Sequence, residues 1–146
     1  MPKIRESSTI AAPVAEVWNV VRDFNSLPKW FPGVTDSYVE DHVSPHQVGC
    51  VRNFGLEGGA RIREQLVMLS DRDRICNYKM LESPLPVRNY VATVRLEPAQ
   101  GNSTHIELTS QFDVNPAEEK ETMGFLSGTY RGAFELLQKY LAKRRP

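Results

Sequence analysis

The chain has 146 residues, with 18 Lys plus Arg balanced by 18 Asp plus Glu and a formal net charge of zero. That balance supplies no long-range field for nucleic acid or an anionic membrane. Apolar residues at 40% and charged residues at 25% fit one globular domain over residues 1–146. No apolar run approaches the ~20 residues of a membrane helix, and the first six residues carry no apolar signal-peptide core. The expected setting is therefore cytoplasmic, without membrane insertion. The one basic run, Lys143-Arg144-Arg145, reads as a solvated helix end. Cys50 and Cys76 fall on apolar strand faces and read as buried thiols. His42, His46 and His105 lack the spacing of metal ligands, so neither a metal nor a cofactor is expected.

In chain order, Lys3 to Ala11 reads as a first strand. Pro13 suits the first position of a helix, and Val14, Val17, Trp18 and Val21 recur at helical spacing. Residues Asn25 to Gly33 predict a second short helix closed by Pro32 and Gly33. Its aromatic pair, Trp30 and Phe31, either caps the core or lines a pocket mouth. Six strands follow: Val34 to Val43, Gly49 to Phe54, Ala60 to Leu69, Arg74 to Leu81, Val87 to Leu96, and Thr104 to Val114. In the last, Ile106, Leu108, Phe112 and Val114 share one face, while His105, Glu107, Thr109, Gln111 and Asp113 share the other. One dry and one wet face is the pattern of an antiparallel sheet. Turn-rich connections at 70–73 and 98–102 suit hairpins.

A long helix closes the chain, from about Pro116 to Lys143, on the order of 40 Å at ~1.5 Å per residue. Asn115 and Glu118 have the spacing of a capping box. Met123, Leu126, Tyr130, Phe134, Leu137 and Leu141 form its apolar stripe. Gly124, Gly128 and Gly132 lie opposite that stripe. They predict either a bent or broken helix, or close approach by a partner helix in a homodimer. The sum is an α+β fold: a curved seven-stranded antiparallel sheet wrapped around a long C-terminal helix, with two short helices after the first strand.

Two charges stand on faces that should be apolar. Arg52 shares its strand face with Cys50 and Phe54, and Glu64 shares its face with Ile62, Leu66 and Met68. The same faces bring Cys76, Tyr78 and Met80 from one later strand, and Tyr90, Ala92, Val94 and Leu96 from the next. Arg52 and Glu64 fall on adjacent strands and can pair across them. Such a set is either a satisfied buried ion pair or an apolar pocket with a few convergent polar groups. Burial raises the pKa of a carboxyl and a nearby guanidinium lowers it, so the role of Glu64 as proton carrier or fixed anion stays open. Glycine-rich 55–59 and proline-stiffened 83–86 are either lids over such a pocket or simple hairpin turns.

The order of these elements resembles the Bet v 1-like, START-like superfamily with the helix-grip fold, in its polyketide cyclase/dehydrase-type members. The resemblance is carried by Ile10-Ala11-Ala12-Pro13-Val14-Ala15-Glu16-Val17-Trp18 with Asp23-Phe24, by Val48-Gly49-Cys50-Val51-Arg52, by Glu64-Gln65-Leu66 with Asp71 to Arg74, and by Asn89-Tyr90. Plant abscisic acid receptors are similar through the last three groups. The chain differs from them in lacking Ser-Gly-Leu-Pro at 55–60 and His-Arg-Leu near 85–88. Lachrymatory factor synthase is similar through the same arginine, glutamate and tyrosines. That likeness implies catalytic roles for Arg52, Glu64 and Tyr90.

The superfamily implies a small, largely apolar ligand between sheet and last helix. Arg52, Phe54, Glu64, Tyr78, Tyr90, Trp30, Met123 and Tyr130 would line that site. Three functions are compatible with this. One is a binding protein. A second is a cofactor-independent cyclase, dehydratase or isomerase, with Glu64 moving a proton while Arg52 and Tyr90 stabilise an oxyanion. The third is a helper that grips a protein or lipid-like chain.

Overall fold

The computed structural model describes residues 1–144 of the chain, so Arg145, the end of the basic run, lies outside the described residues. Seven strands follow in chain order: β1 (Lys3–Ile10), β2 (Val34–Val39), β3 (Val51–Leu56), β4 (Arg61–Ser70), β5 (Ile75–Glu82), β6 (Val87–Ala99) and β7 (Ser103–Val114), with short connections from β3 onward. The helices are α1 (Val14–Val21), α2 (Leu27–Trp30) and α3 (Glu119–Lys143). The strands form one antiparallel sheet in the order β1-β7-β6-β5-β4-β3-β2. Each consecutive pair from β2 to β7 is a hairpin, and only β1 is brought back to pair with the last strand.

The expected fold class is the one observed, with boundary changes that have local causes. The second strand was expected to reach Val43. It ends at Val39 because a tight turn over Glu40–His42 follows, with Asp41 and His42 at positive φ. β6 runs past its expected end and includes Pro98. β5 stops pairing at Arg95, so Pro98 has only β7 as a neighbour and no ladder bond is lost on its free side. The capping box at Asn115 does not form. Pro116–Glu118 is a 3₁₀ turn in which the Glu118 amide bonds the Asn115 carbonyl, and no side chain caps α3. Glu119 and Glu121 instead place negative charge in its first turn.

α3 is continuous from Glu119 to Lys143, so the glycines neither bend it into two helices nor break it. A Cβ built on Gly124, Gly128 or Gly132 would meet nothing within 4 Å. Their face is open to solvent. The opposite face buries Thr122, Leu126, Tyr130, Phe134, Leu137 and Leu141 against the sheet. Polar ties hold α3 beside β1: the Ala11 amide donates to Gln138 Oε1 at 2.9 Å, and Arg131 pairs with Glu6.

The core lies between this helix face and the inner face of the sheet, closed at one end by Val17, Trp18 and Val20 of α1 and by Phe24. The β4–β5 turn is tied to α1 through Asp71, which accepts from Trp18 Nε1 and Arg22 Nε, both at 2.8 Å.

Two of the sheet's register shifts change which side chains face that core. At Val67, β4 has one residue more than β5, since Leu66 pairs with Tyr78 but Met68 with Asn77. Met68 was expected inside. The bulge turns it out, leaving Val67 44% and Met68 41% exposed, and places Leu69 opposite buried Cys76. On β6 the extra residue lies between Arg88 and Val91, where Asn89 has φ 54 and its amide donates to Asp113 Oδ2 at 2.8 Å. This bulge leaves Arg88 outside while Val87 and Tyr90 both pack inward.

Candidate functional site

Arg52 and Glu64 are direct register partners across β3 and β4. Both are buried, at 9% and 4% exposure. Arg52 Nε and Nη2 donate to the same carboxylate oxygen, Glu64 Oε1, at 2.9 and 2.7 Å. Nη1 donates to the Phe24 carbonyl at 3.3 Å. The guanidinium carbon lies 4.1 Å from the Phe24 ring centre, 4.9 Å from Tyr78 and 5.5 Å from Phe54. Three π-faces around one cation are an attractive arrangement once water is removed. Burial opposes the Arg52 charge, but Glu64 and Tyr78 outweigh it and leave the guanidinium pKa above its ordinary value.

The pair is not closed on itself. Among the described residues no group donates to Glu64 Oε2, and the Tyr78 hydroxyl has no hydrogen-bond partner. Burial, and then the Glu64 charge, push the Tyr78 phenol well above its ordinary 10, so it remains a neutral donor. Burial also pushes the Cys76 thiol up to about 11, which makes it a poor nucleophile.

A second polar cluster lies across the sheet. Tyr90 of β6 and Tyr130 of α3 are joined hydroxyl to hydroxyl, and Tyr130 donates to Ser110 Oγ of β7 at 2.8 Å. All three residues are buried. The phenols of Tyr90 and Tyr130 are raised, chiefly by burial.

The residues read from the sequence thus divide. Arg52, Glu64, Phe54 and Tyr78 form one cluster, and Tyr90 and Tyr130 belong to the other. Trp30 and Met123 pack against the core. Trp30 Nε1 donates to Ser26 Oγ at 3.2 Å and its ring meets Phe31 edge-on. Phe24 and Ser110 are the residues that sequence reading missed. Ser110 shares strand parity with Ile106, Leu108 and Phe112, so its inward direction was readable. Its role was not, because the partner comes from α3. Phe24 lies between α1 and α2, where no periodicity applies.

The glycine-rich segment is a hairpin turn. Gly55 belongs to β3, and Gly58 and Gly59 have φ 94 and 97, with the Leu56 amide bonded to the Ala60 carbonyl. Outside it, Arg61 bridges Asp36 and Asn53, while Arg63 bridges Glu40 and Glu82. In the 83–86 connection Leu85 packs on the core. Two grooves open elsewhere, on the outer face of the sheet. One is about 470 Å³ and is lined by Lys3, Arg5, Asn77, Thr93, Thr109 and Gln111 among others. The other is about 230 Å³, over Arg5, Arg95, Glu97, His105 and Glu107. Neither is lined by Arg52, Glu64 or Tyr78. Among the described residues no group of three or more His, Cys, Asp or Glu side chains could hold a metal ion, and no helix is long and apolar enough to cross a membrane.

This architecture is shared with known proteins. Protein XoxI from Bacillus cereus superposes with a TM-score of 0.87 at 25% identity, covering 100% of both chains. Norcoclaurine synthase from Thalictrum flavum, solved with dopamine and hydroxybenzaldehyde, superposes at 0.78 over 99% of this chain and 88% of its own. At 18% identity that likeness is one of fold. Abscisic acid receptor PYL10 of Arabidopsis thaliana is 28% identical over 122 residues, 80% of this chain and 66% of the receptor, so the chain spans just under two thirds of that relative's length. The family model for "Polyketide cyclase / dehydrase and lipid transport" matches residues 1–142. The chain belongs to that polyketide cyclase / dehydrase and lipid transport family.

Proposed function

We propose that the protein binds a small, largely apolar organic molecule between the sheet and α3, with the polar end of that molecule on the Arg52–Glu64 pair. One observation carries this reading. In the cluster around Arg52, a carboxylate 4% exposed keeps Oε2 without a donor among the described residues, and the Tyr78 hydroxyl has no acceptor there. Every fully buried side-chain oxygen among the described residues has a partner, so these two unpartnered oxygens are not sealed away and an entering group can reach them. A ligand group that both donates and accepts, such as a phenol, enol or alcohol, would satisfy Oε2 and the Tyr78 hydroxyl together. Phe24, Phe54 and Leu66 supply apolar walls, and the family's lipid-transport members are consistent with such a ligand.

The same free oxygen favours a second reading, proton transfer. Glu64 Oε2 would take a proton from the bound molecule while Arg52 stabilises the developing oxyanion; Tyr90, bonded to Tyr130 in the other cluster, would act only at the far end of that molecule.

Native mass spectrometry of the purified protein, followed by identification of any retained molecule, tests the first reading. Retention by the wild type and loss in Glu64→Gln is the expected result. An interior that retains nothing, together with Arg52→Ala leaving stability and every ligand interaction unchanged, would remove it. Turnover of the retained molecule, abolished by Glu64→Gln with affinity preserved, would select the second reading.

A further inference from the structure

Tyr90, Tyr130 and Ser110 form a row of three hydroxyls from three different elements, β6, α3 and β7. Three hydroxyls carry three protons. Two links, Tyr90 to Tyr130 and Tyr130 to Ser110, use two of them. If Tyr130 donates to Ser110, then Tyr90 donates to Tyr130 and the Ser110 proton is left over. In the reverse direction the Tyr90 proton is left over. Whichever way the protons point, one O–H donor in this buried row has no acceptor in the described protein. The raised phenol pKa values keep the row fully protonated at neutral pH. An unmet buried donor costs about 1–3 kcal/mol.

The row stands apart from the ion pair. Register places Ser110 opposite Ala92, Ala92 opposite Tyr78, and Tyr78 opposite Leu66, the inward residue next along β4 from Glu64. Three strand spacings of ~4.8 Å put β7 and β4 about 14 Å apart at the backbone. The inward reach of the side chains shortens that gap. Leu66 and Ala92 line it with apolar surface, and Tyr78 stands on β5, one strand from β4 and two from β7.

We infer that the interior takes a two-ended ligand: a donor–acceptor group such as a phenol at Glu64 Oε2 and Tyr78, and a hydrogen-bond acceptor such as a carbonyl at the Tyr90–Tyr130–Ser110 row, joined by a rigid apolar body. This rests on the interior-ligand reading above and adds its second pole. Ser110 and Tyr130 become specificity-determining residues that discriminate ligands by what they carry at the far end. A one-ended ligand leaves the spare donor unmet, and that is the physical source of the discrimination.

The test uses three probes with one body: 6-hydroxy-2-naphthaldehyde, which carries both groups, and 2-naphthol and 2-naphthaldehyde, which carry one each. Affinities are measured by titration calorimetry on the full chain. In the wild type the two-ended probe is expected to bind at least tenfold tighter than 2-naphthol. A connected row of hydroxyls always keeps one spare proton, so the discriminating variant removes all three: Tyr90→Phe, Tyr130→Phe and Ser110→Ala together are expected to remove that tenfold preference while leaving 2-naphthol affinity unchanged. If the triple variant does not fold, Tyr130→Phe serves instead: it breaks both links and leaves two spare donors, so the preference for the two-ended probe is expected to persist or grow. Glu64→Gln is expected to weaken both phenols and leave 2-naphthaldehyde unaffected. Equal binding of the two-ended probe and 2-naphthol, both dependent on Glu64, would overturn the second pole and leave the first intact. A preference that survives removal of all three hydroxyls, or is lost in Tyr130→Phe, would overturn it as well. Binding of none of the probes would count against both readings.

Discussion

Deleting one member of the Arg52–Glu64 pair leaves the other charged, buried and without its partner. Arg52→Met is therefore expected to cost about 3–5 kcal/mol in urea denaturation. The double variant Arg52→Met, Glu64→Leu should cost less than Arg52→Met alone, since an apolar pair of similar volume needs no solvation. A double variant as unstable as the sum of two singles would show that each charge is held by other groups. The inward direction of Arg52, Glu64, Tyr78 and Tyr90 was legible, because strand alternation is local and obligatory. Their division into two clusters was not. It depends on α3 setting the Tyr130 hydroxyl between Tyr90 and Ser110, and on Phe24 closing over the guanidinium. Both are contacts between residues far apart in the chain.

Among the elements, α3 carries the plainest stability lever. Gly124, Gly128 and Gly132 have helical backbone and open space where a Cβ would go. Replacing each by Ala should stabilise the protein by about 1 kcal/mol per site, read as a rise in the denaturation midpoint. A loss of stability instead would mean that this face is covered in solution. The glycine spacing was readable, but its consequence was not, because only the packed helix shows which face is free.

The β4–β5 turn supplies a pH-dependent contact. The Asp71 carboxyl is held below its ordinary 3.8, first by the bond from Arg22 and then by that from Trp18. A folded-state pKa below the unfolded one contributes stability present above about pH 4, lost as pH falls through the folded value. The thermal midpoint of Asp71→Asn should thus lie below wild type at pH 7, and the gap should narrow below pH 3.8. High salt should narrow it too, since Asp71 is exposed. The strands themselves were legible as elements, but the bulges at Val67 and Asn89 were not. A single extra residue reverses facing along a strand without leaving a mark in composition, and Met68 was misplaced for that reason.

For the whole molecule, the interior sets an alkaline boundary. Tyr78, Tyr90 and Tyr130 all have phenol pKa values raised by burial. A folded-state pKa above the unfolded 10 gives stability that is complete below pH 10 and lost as pH rises through the folded values. Absorbance at 295 nm should therefore show these three of the five tyrosines ionising at higher pH in the folded protein than after unfolding. Ordinary ionisation in an intact fold would mean an interior open to water. The element order, the antiparallel hairpins, the long closing helix and the presence of charge on an apolar strand face could all be read from the residues alone. Each of these rests on local periodicity and turn chemistry, which a chain expresses before it packs. Packing alone sets which oxygen of Glu64 Arg52 engages, that the Tyr78 hydroxyl is left without a partner, and that three hydroxyls share two bonds. Those outcomes depend on side chains from distant segments meeting within hydrogen-bond reach, and no local pattern encodes such distances.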